Sequence, residues 1–176
     1  WTLITNATPV IKIMETRYGC FFDRNPDGTI HQKPFAGQSF DRTVHKGDLT
    51  GIEIVSRAVD QLFKRNIRVL DEHRALELLF NRTGSRVVGA LAVDIRRGKF
   101  LVINSRVTLV ATGGGPTMYK YFAPSMDKSA DGIAMLYRSG ADMVDMEMVQ
   151  FHPTGLLVKG SIVAGTVLEE GLRGAG

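Results

Sequence analysis

Cysteine is nearly missing from this chain. Cys20 stands alone, so no intrachain disulfide can form, which fits a reducing compartment. Beside Phe21-Phe22 it reads as a small buried hydrophobe rather than a reactive thiol. No apolar run approaches the roughly 20 residues that a membrane-spanning helix needs, so no direct membrane span is expected. His31, His45, His73 and Arg42 show no metal-ligand spacing, and no serine or cysteine sits in a nucleophile elbow; a zinc or iron site and hydrolase chemistry are both unsupported. There are too few cysteines to hold an iron–sulfur cluster. Internal repeats and low-complexity segments are also absent. The N-terminus, Trp1-Thr2-Leu3, has no initiator Met and no signal-peptide pattern, and the last residues run Gly174-Ala175-Gly176. Both ends read as cut, so the expectation is an internal fragment.

What is present suits a packed α/β domain of 176 residues, 44% of them hydrophobic. The net charge of +4 comes from 22 basic and 18 acidic residues spread along the chain. The densest basic spots, 64–68 and 96–99, flank apolar runs and read as a helix end and a hairpin turn, which argues against nucleic acid. Residues 1–18 are weakly periodic and read as the end of one helix and one face of another, the second stopped by Gly19. Asn25-Pro26-Asp27-Gly28 is a strong turn, and 32–38 reads as irregular polar loop. Ile52, Val55, Val59, Leu62 and Phe63 fall at helical spacing over about 50–65. A short strand is expected at 67–70, then an antiparallel meander over 75–81, 86–95 and 99–111 with turns at 81–85 and 96–99. Its last run, Val107-Thr108-Leu109-Val110-Ala111, reads as a strand buried on both faces. A helix over 131–139 ending at Gly140 and a short strand at 143–146 complete the pattern.

Three features could carry chemistry. Ala111-Thr112-Gly113-Gly114-Gly115 directly follows a strand, where open α/β sheets bind ligands, and its glycines allow close backbone approach. A plain glycine turn explains it equally well. Asp131-Gly132 opens a helix; the aspartate reads either as an N-cap or as an acceptor for polyol hydroxyls. His152-Pro153-Thr154-Gly155 follows an apolar stretch that also holds Glu147 and Gln150, so His152 is either hydrogen-bonded for structure or functional. Glu169-Glu170-Gly171-Leu172-Arg173-Gly174 reads by itself as a solvated charged turn.

The order of these segments resembles the flavoprotein subunits of succinate dehydrogenase and fumarate reductase, a superfamily shared with L-aspartate oxidase. The matching pieces are Gln32–Gln38, Asp48–Gly51, Ala111–Gly114, Asp131-Gly132, Asp145–Gly155 and Glu170–Gly174, in the family's order. The Asp145–Gly155 string is the most specific of them. The resemblance implies part of a FAD-binding doubly wound α/β domain with an antiparallel meander over about 75–111. Residues 1–155 would be its central and C-terminal part, and 156–176 the lead-in to a truncated substrate-capping domain. It implies FAD contacts at the backbone around His73, Arg74 and Ala75, at Ala111, Thr112, Gly113 and Gly114, and at Asp131. It implies a substrate contact at His152 and a substrate-pocket glutamate at Glu170, with Glu169 beside it.

The implied function is interconversion of succinate and fumarate, or a related dicarboxylate, by hydride transfer to or from FAD. An L-aspartate oxidase-like or other fumarate reductase-family enzyme is the alternative, and a non-catalytic α/β binding module the rival from another class. The implied partners are the dicarboxylate and an iron–sulfur electron-transfer subunit, with a cytoplasmic location held at the inner face of the membrane through partner subunits. The family's proton-donor arginine would lie beyond Gly176, and its N-terminal G-x-G-x-x-G is absent; the expectation is a fragment inactive alone and weak in FAD. Glu169 departs from the threonine usual in the respiratory enzymes. A second carboxylate near a dianion repels it unless protonated or turned away, which puts the substrate in doubt.

Overall fold

The computed structural model describes residues 1–35, 37–120, 122, 124–151, 154–156 and 158–159. These fall into two compact units that divide after Val69.

The first unit opens with one continuous helix, α1 (Thr2–Thr16), rather than two pieces, with Pro9 inside it. Gly19 takes φ +80° just past its end, and the amides of Tyr18, Gly19 and Cys20 turn back onto the carbonyls of Ile13, Glu15 and Met14. The chain then folds inward, burying Cys20 and Phe22. Burial pushes the Cys20 thiol up, with Glu53 adding to the effect. Asn25–Gly28 forms the expected turn, its Gly28 amide on the Asn25 carbonyl at 2.9 Å and Gly28 at φ +84°. Part of the segment expected as irregular loop forms a two-residue strand: β1 (Gln32–Lys33) pairs antiparallel with β2 (Thr43–Val44). The amphipathic helix is present as α2 (Thr50–Lys64). Glu53 ties it to the first segment, accepting from the Phe21 amide at 2.9 Å and from Arg57 Nε at 3.2 Å. The apolar stripe of α2, including Ile52, Val55 and Phe63, is left exposed among the described residues. The strand expected at 67–70 is absent; no described strand lies beside it to complete a ladder, and Asn66 turns through φ 51°.

The second unit is built on the meander: β3 (His73–Phe80), β4 (Val87–Asp94) and β5 (Lys99–Asn104), antiparallel in that order. Both turns are set by local polar chemistry. Asn81 Oδ1 accepts from the Ser85 and Arg86 amides, and Gly84 takes φ +73°. Asp94, buried, accepts from the Arg96 and Arg97 amides at 3.0 Å each, and Gly98 takes φ +65°. Those amide bonds, the Arg97 one foremost, hold the Asp94 carboxyl below its usual range. In β3, Ala75 faces Ala92 and Glu77 faces Leu91, so Leu76 is the extra residue of a bulge that redirects the strand's side chains. Helix α3 (Asp131–Arg138) packs on β3, burying Met135, and ends as expected at a left-handed Gly140, φ +83°.

Two expectations fail here. The run 107–111 belongs to no strand, and Val107 and Leu109 are 85% and 90% exposed. A strand buried on both faces needs neighbours in its own sheet and cover above and below, and the described residues supply neither. The strand expected at 143–146 is a turn: Asp145 takes φ 55°, and the Met148 amide bonds its carbonyl at 2.9 Å.

The meander generates one clean prediction. A Cβ on Gly89 would overlap the Ile103 carbonyl across the β4–β5 ladder. Gly89→Ala should therefore destabilise by about 1–3 kcal/mol, as overpacking does, seen as a lowered midpoint of thermal unfolding. An unchanged midpoint would mean the two strands are not this close.

Candidate functional site

Every sequence-derived cofactor residue lies in the second unit. His73, Arg74 and Ala75 begin β3. His73 Nδ1 lies 2.6 Å from the Asp71 carbonyl, and a charged cleft beside it is lined by Asp71, Glu72, Asp94, Arg96 and Arg97. Ala111, Thr112, Gly113 and Gly114 follow β5 as irregular backbone, exposed, with Gly113 at φ +73°. Nothing lies within 4 Å of the places where side chains would stand on Gly113 and Gly114. Asp131 is the first residue of α3. His152, Glu169 and Glu170 lie outside the described residues.

The glycine segment and the start of α3 are pressed together. A Cβ on Gly132 would overlap the Thr112 side chain, and one on Gly115 would overlap Ala130. Ala130 itself sits in the left-handed region, φ 63°, ψ 12°, a conformation that costs a non-glycine residue about 1 kcal/mol. The packing that holds it there is the contact with Gly115. Asp131 is flanked on both sides by residues that touch 112–115, so its Cα is held against the glycine segment.

Asp131 is not the N-cap. Ala130 holds that position, and α3 has no side-chain capping hydrogen bond. The carboxylate reaches instead across 57 residues to β3. Arg74 Nε donates to Asp131 Oδ2 at 2.6 Å, and Arg74 Nη2 closes on the same oxygen. Ser129 Oγ lies 3.5 Å from Arg74 Nη2. The Arg74 guanidinium holds the Asp131 carboxyl below the ordinary carboxylate range, with Ser129 assisting and desolvation opposing. The other end of α3 is tied the same way: Arg138 Nη2 donates to the Leu76 carbonyl at 2.8 Å, at the β3 bulge. These two ties were not legible in the sequence. Arg74 sits in a polar strand start, Asp71-Glu72-His73-Arg74, which does not single it out.

Chemically, the arrangement offers bare backbone with open space beside it at Gly113 and Gly114, on a segment whose Thr112 and Gly115 touch the residues flanking the ionised Asp131. Backbone of this kind admits a ligand that would clash with side chains, and a carboxylate accepts from ligand hydroxyls. A sugar-containing dinucleotide fits both. Among the described residues no group of His, Cys, Asp and Glu could hold a metal ion.

The FAD binding domain family model matches residues 2–176. The chain belongs to that family. It is 40% identical over 170 residues to an uncharacterized FAD-dependent oxidoreductase of Methanocaldococcus jannaschii, covering 96% of this chain and 31% of the relative. It is 36% identical over 174 residues to a fumarate reductase (CoM/CoB) subunit from Methanothermobacter marburgensis, covering 99% and 31%. Among solved structures, the FrdA chain of an Escherichia coli quinol fumarate reductase mutant superposes with a TM-score of 0.86 at 30% identity, covering 97% of this chain and 28% of that one. The family identifies FAD as the cofactor and the α/β architecture as that of the FAD-binding region of these flavoproteins. The chain spans about a third of the length of these curated relatives.

Two predictions follow from the packing and the ion pair. Helix propensity alone would make Gly132→Ala stabilising by up to about 1 kcal/mol. The Thr112 contact reverses the sign: a loss of about 1–3 kcal/mol is expected in thermal unfolding, relieved when Thr112→Gly is added. A stabilised single variant would rule the contact out. The carboxylate makes a pH-dependent contribution. Because its native pKa is depressed, the stability contributed by Asp131 is present above the unfolded value of about 3.9 and is lost as pH falls through the lower native value. Both partners are half-exposed, so the contribution is at most about 1 kcal/mol. The midpoint difference between the parent protein and Asp131→Asn should stay level from neutral pH to about pH 5 and close below it.

Proposed function

We propose that the protein carrying this chain is a flavoprotein oxidoreductase that interconverts succinate and fumarate, or a closely related dicarboxylate. The observation that carries the cofactor half of this reading is the pressing of α3 onto Thr112 and Gly115, which puts Asp131 beside side-chain-free backbone. Ala111, Thr112, Gly113 and Gly114 would line the cofactor together with the backbone of His73–Ala75, and Asp131 would accept from its hydroxyls. When bound, FAD supplies hydride acceptance and donation. The chain's own contribution is a wall: it excludes water from one side of the cofactor and fixes its orientation through rigid strand and helix ends.

The substrate half rests on the sequence string Asp145–Gly155, with His152 donating a hydrogen bond to a substrate carboxylate and Glu170 in the same pocket. Residues 1–155 would belong to the FAD-binding domain and 156–176 to the start of a capping region. The proton donor, an arginine in this reading, would come from outside this chain. An iron–sulfur electron-transfer subunit is the partner the reading calls for, because this chain has a single cysteine.

A second reading has its own support. Glu169 stands where the respiratory enzymes usually have threonine, and the chain is 36% identical over 145 residues to an L-aspartate oxidase of Nicotiana tabacum, covering 81% of this chain and 22% of that one. A carboxylate at 169 repels a second carboxylate but attracts an amino group, so aspartate is the competing substrate.

The test is turnover of the whole purified protein with succinate, fumarate and aspartate, each with an artificial electron donor or acceptor. Turnover of succinate or fumarate that falls about 100-fold in kcat/KM on His152→Ala is the expected result, the scale of losing one charge-directed hydrogen bond in the transition state. Oxidation of aspartate alone would replace the first reading by the second. Absence of flavin from the whole protein would sink both.

A further inference from the structure

Arg74 spends both its Nε and its Nη2 on one oxygen of Asp131. The pair is half-exposed, 50% and 41%, and such pairs contribute little to folding. Nor is it needed to dock α3, because Arg138 ties the far end of the helix to the Leu76 carbonyl and Met135 is buried beneath it. What Arg74 chiefly determines, with Ser129 assisting, is where the carboxylate points and what charge the neighbourhood carries. At the first position of a helix an aspartate side chain ordinarily turns toward the free first-turn amides. Here it makes no such bond and is drawn toward β3. Its neighbours Ala130 and Gly132 are both locked onto 112–115, so the backbone cannot follow the side chain. Only the carboxylate moves, and Arg74 sets where it stops.

We propose that Arg74 is a positioning residue for the flavin cofactor, aiming the Asp131 carboxylate at a cofactor hydroxyl beside the glycine segment and cancelling its charge so that the dinucleotide's diphosphate is not repelled. The inference rests on the reading that 111–114 and Asp131 hold FAD. It assigns a role to the Arg74 side chain, which that reading leaves idle. An unpaired carboxylate at this place would still accept from a hydroxyl, but it would add a full negative charge to a site that takes an anionic dinucleotide, screened only by solvent and salt.

The test uses the whole protein, stripped of flavin, titrated with FAD by calorimetry at low and at high salt. Five forms are compared: the parent, Arg74→Met, Arg74→Lys, Asp131→Asn, and the double variant Arg74→Met with Asp131→Asn. Arg74→Met should weaken FAD binding about tenfold at low salt, with a smaller loss at high salt. In the Asp131→Asn background the same change should cost less than twofold, because the charge to be cancelled is gone. Arg74→Lys should recover part of the loss by restoring charge without the two-nitrogen grip. The unfolding midpoint of the flavin-free protein should fall only by the small amount expected for loss of one half-exposed ion pair, and by the same amount in Arg74→Met, Asp131→Asn and the double variant. Equal losses with and without Asp131, or losses indifferent to salt, would assign Arg74 a merely structural role and overturn the proposal. If Arg74→Met does not fold, Arg74→Gln carries the same comparison. A parent protein that takes up no FAD would overturn the underlying reading, whereas a parent that binds FAD and an Arg74→Met variant that binds it equally well would overturn only this inference.

Discussion

The close approach of α3 to the segment after β5 is the constraint on which the candidate site depends. Thr112 lies against Gly132, and Ala130 lies against Gly115, with no room for a Cβ on either glycine. Between these two contacts Asp131 has no backbone freedom left. That rigidity gives the Arg74 ion pair a consequence: a guanidinium pulling on a mobile residue would shift the backbone, whereas here it can only orient the carboxylate. The left-handed Ala130 belongs to the same contact. A strain of this size persists where surrounding packing over-determines the conformation, and such places concentrate at ligand sites.

A second regularity concerns charge. The spread of the basic residues argued against a nucleic-acid partner, and the structure spends many of these residues locally. Arg24 pairs with Glu15, Lys46 with Asp23, Arg57 with Glu53, Arg96 with Glu72 and Arg97 with Asp94. Most are short-range or turn-stabilising pairs on exposed surface, each a small energetic term. The Asp23 carboxyl is held low mainly by the Gly47 amide and then by Lys46, and Glu53 by the Phe21 amide and then by Arg57. Asp23, Glu53 and Asp94 thus serve first as acceptors for backbone amides at turns and helix joints. Asp131 departs from that habit: it leaves its own helix amides and takes a distant arginine.

The parts legible in the sequence were those written in local chemistry. The turns at Asn25–Gly28, 81–85 and 96–99, the helix over Thr50–Lys64 and the glycine stop after α3 follow from residues within a few positions of one another. The meander was legible for the same reason, since its strands are joined by short turns. Most of the errors involve partners far along the chain; the strand expected at 143–146 is an exception, lost to a local turn at Asp145. The runs 67–70 and 107–111 have strand composition, but composition cannot supply a neighbouring strand, and the described residues have none for them. Asp131 stands out in the sequence, but its partner does not: an N-cap is a local expectation, while Arg74 lies 57 residues away. The bulge at Leu76, which frees a carbonyl for Arg138, has no signature in an apolar strand.

The same distinction explains why the cofactor family could be recognised more sharply than the substrate. A dinucleotide is met largely by backbone, and backbone demands are written as glycines at fixed places after a strand and before a helix; Gly113, Gly115 and Gly132 each answer a steric requirement that few other residues satisfy. A substrate is met by side-chain ends, where one substitution changes the charge of a pocket while leaving the fold untouched. In the proposed reading Glu169 is such a position: a carboxylate where the respiratory enzymes usually have threonine would change which substrate the pocket favours. In that reading the cofactor is selected by backbone and packing and the substrate by side-chain charge, so one FAD-binding framework can carry more than one substrate chemistry.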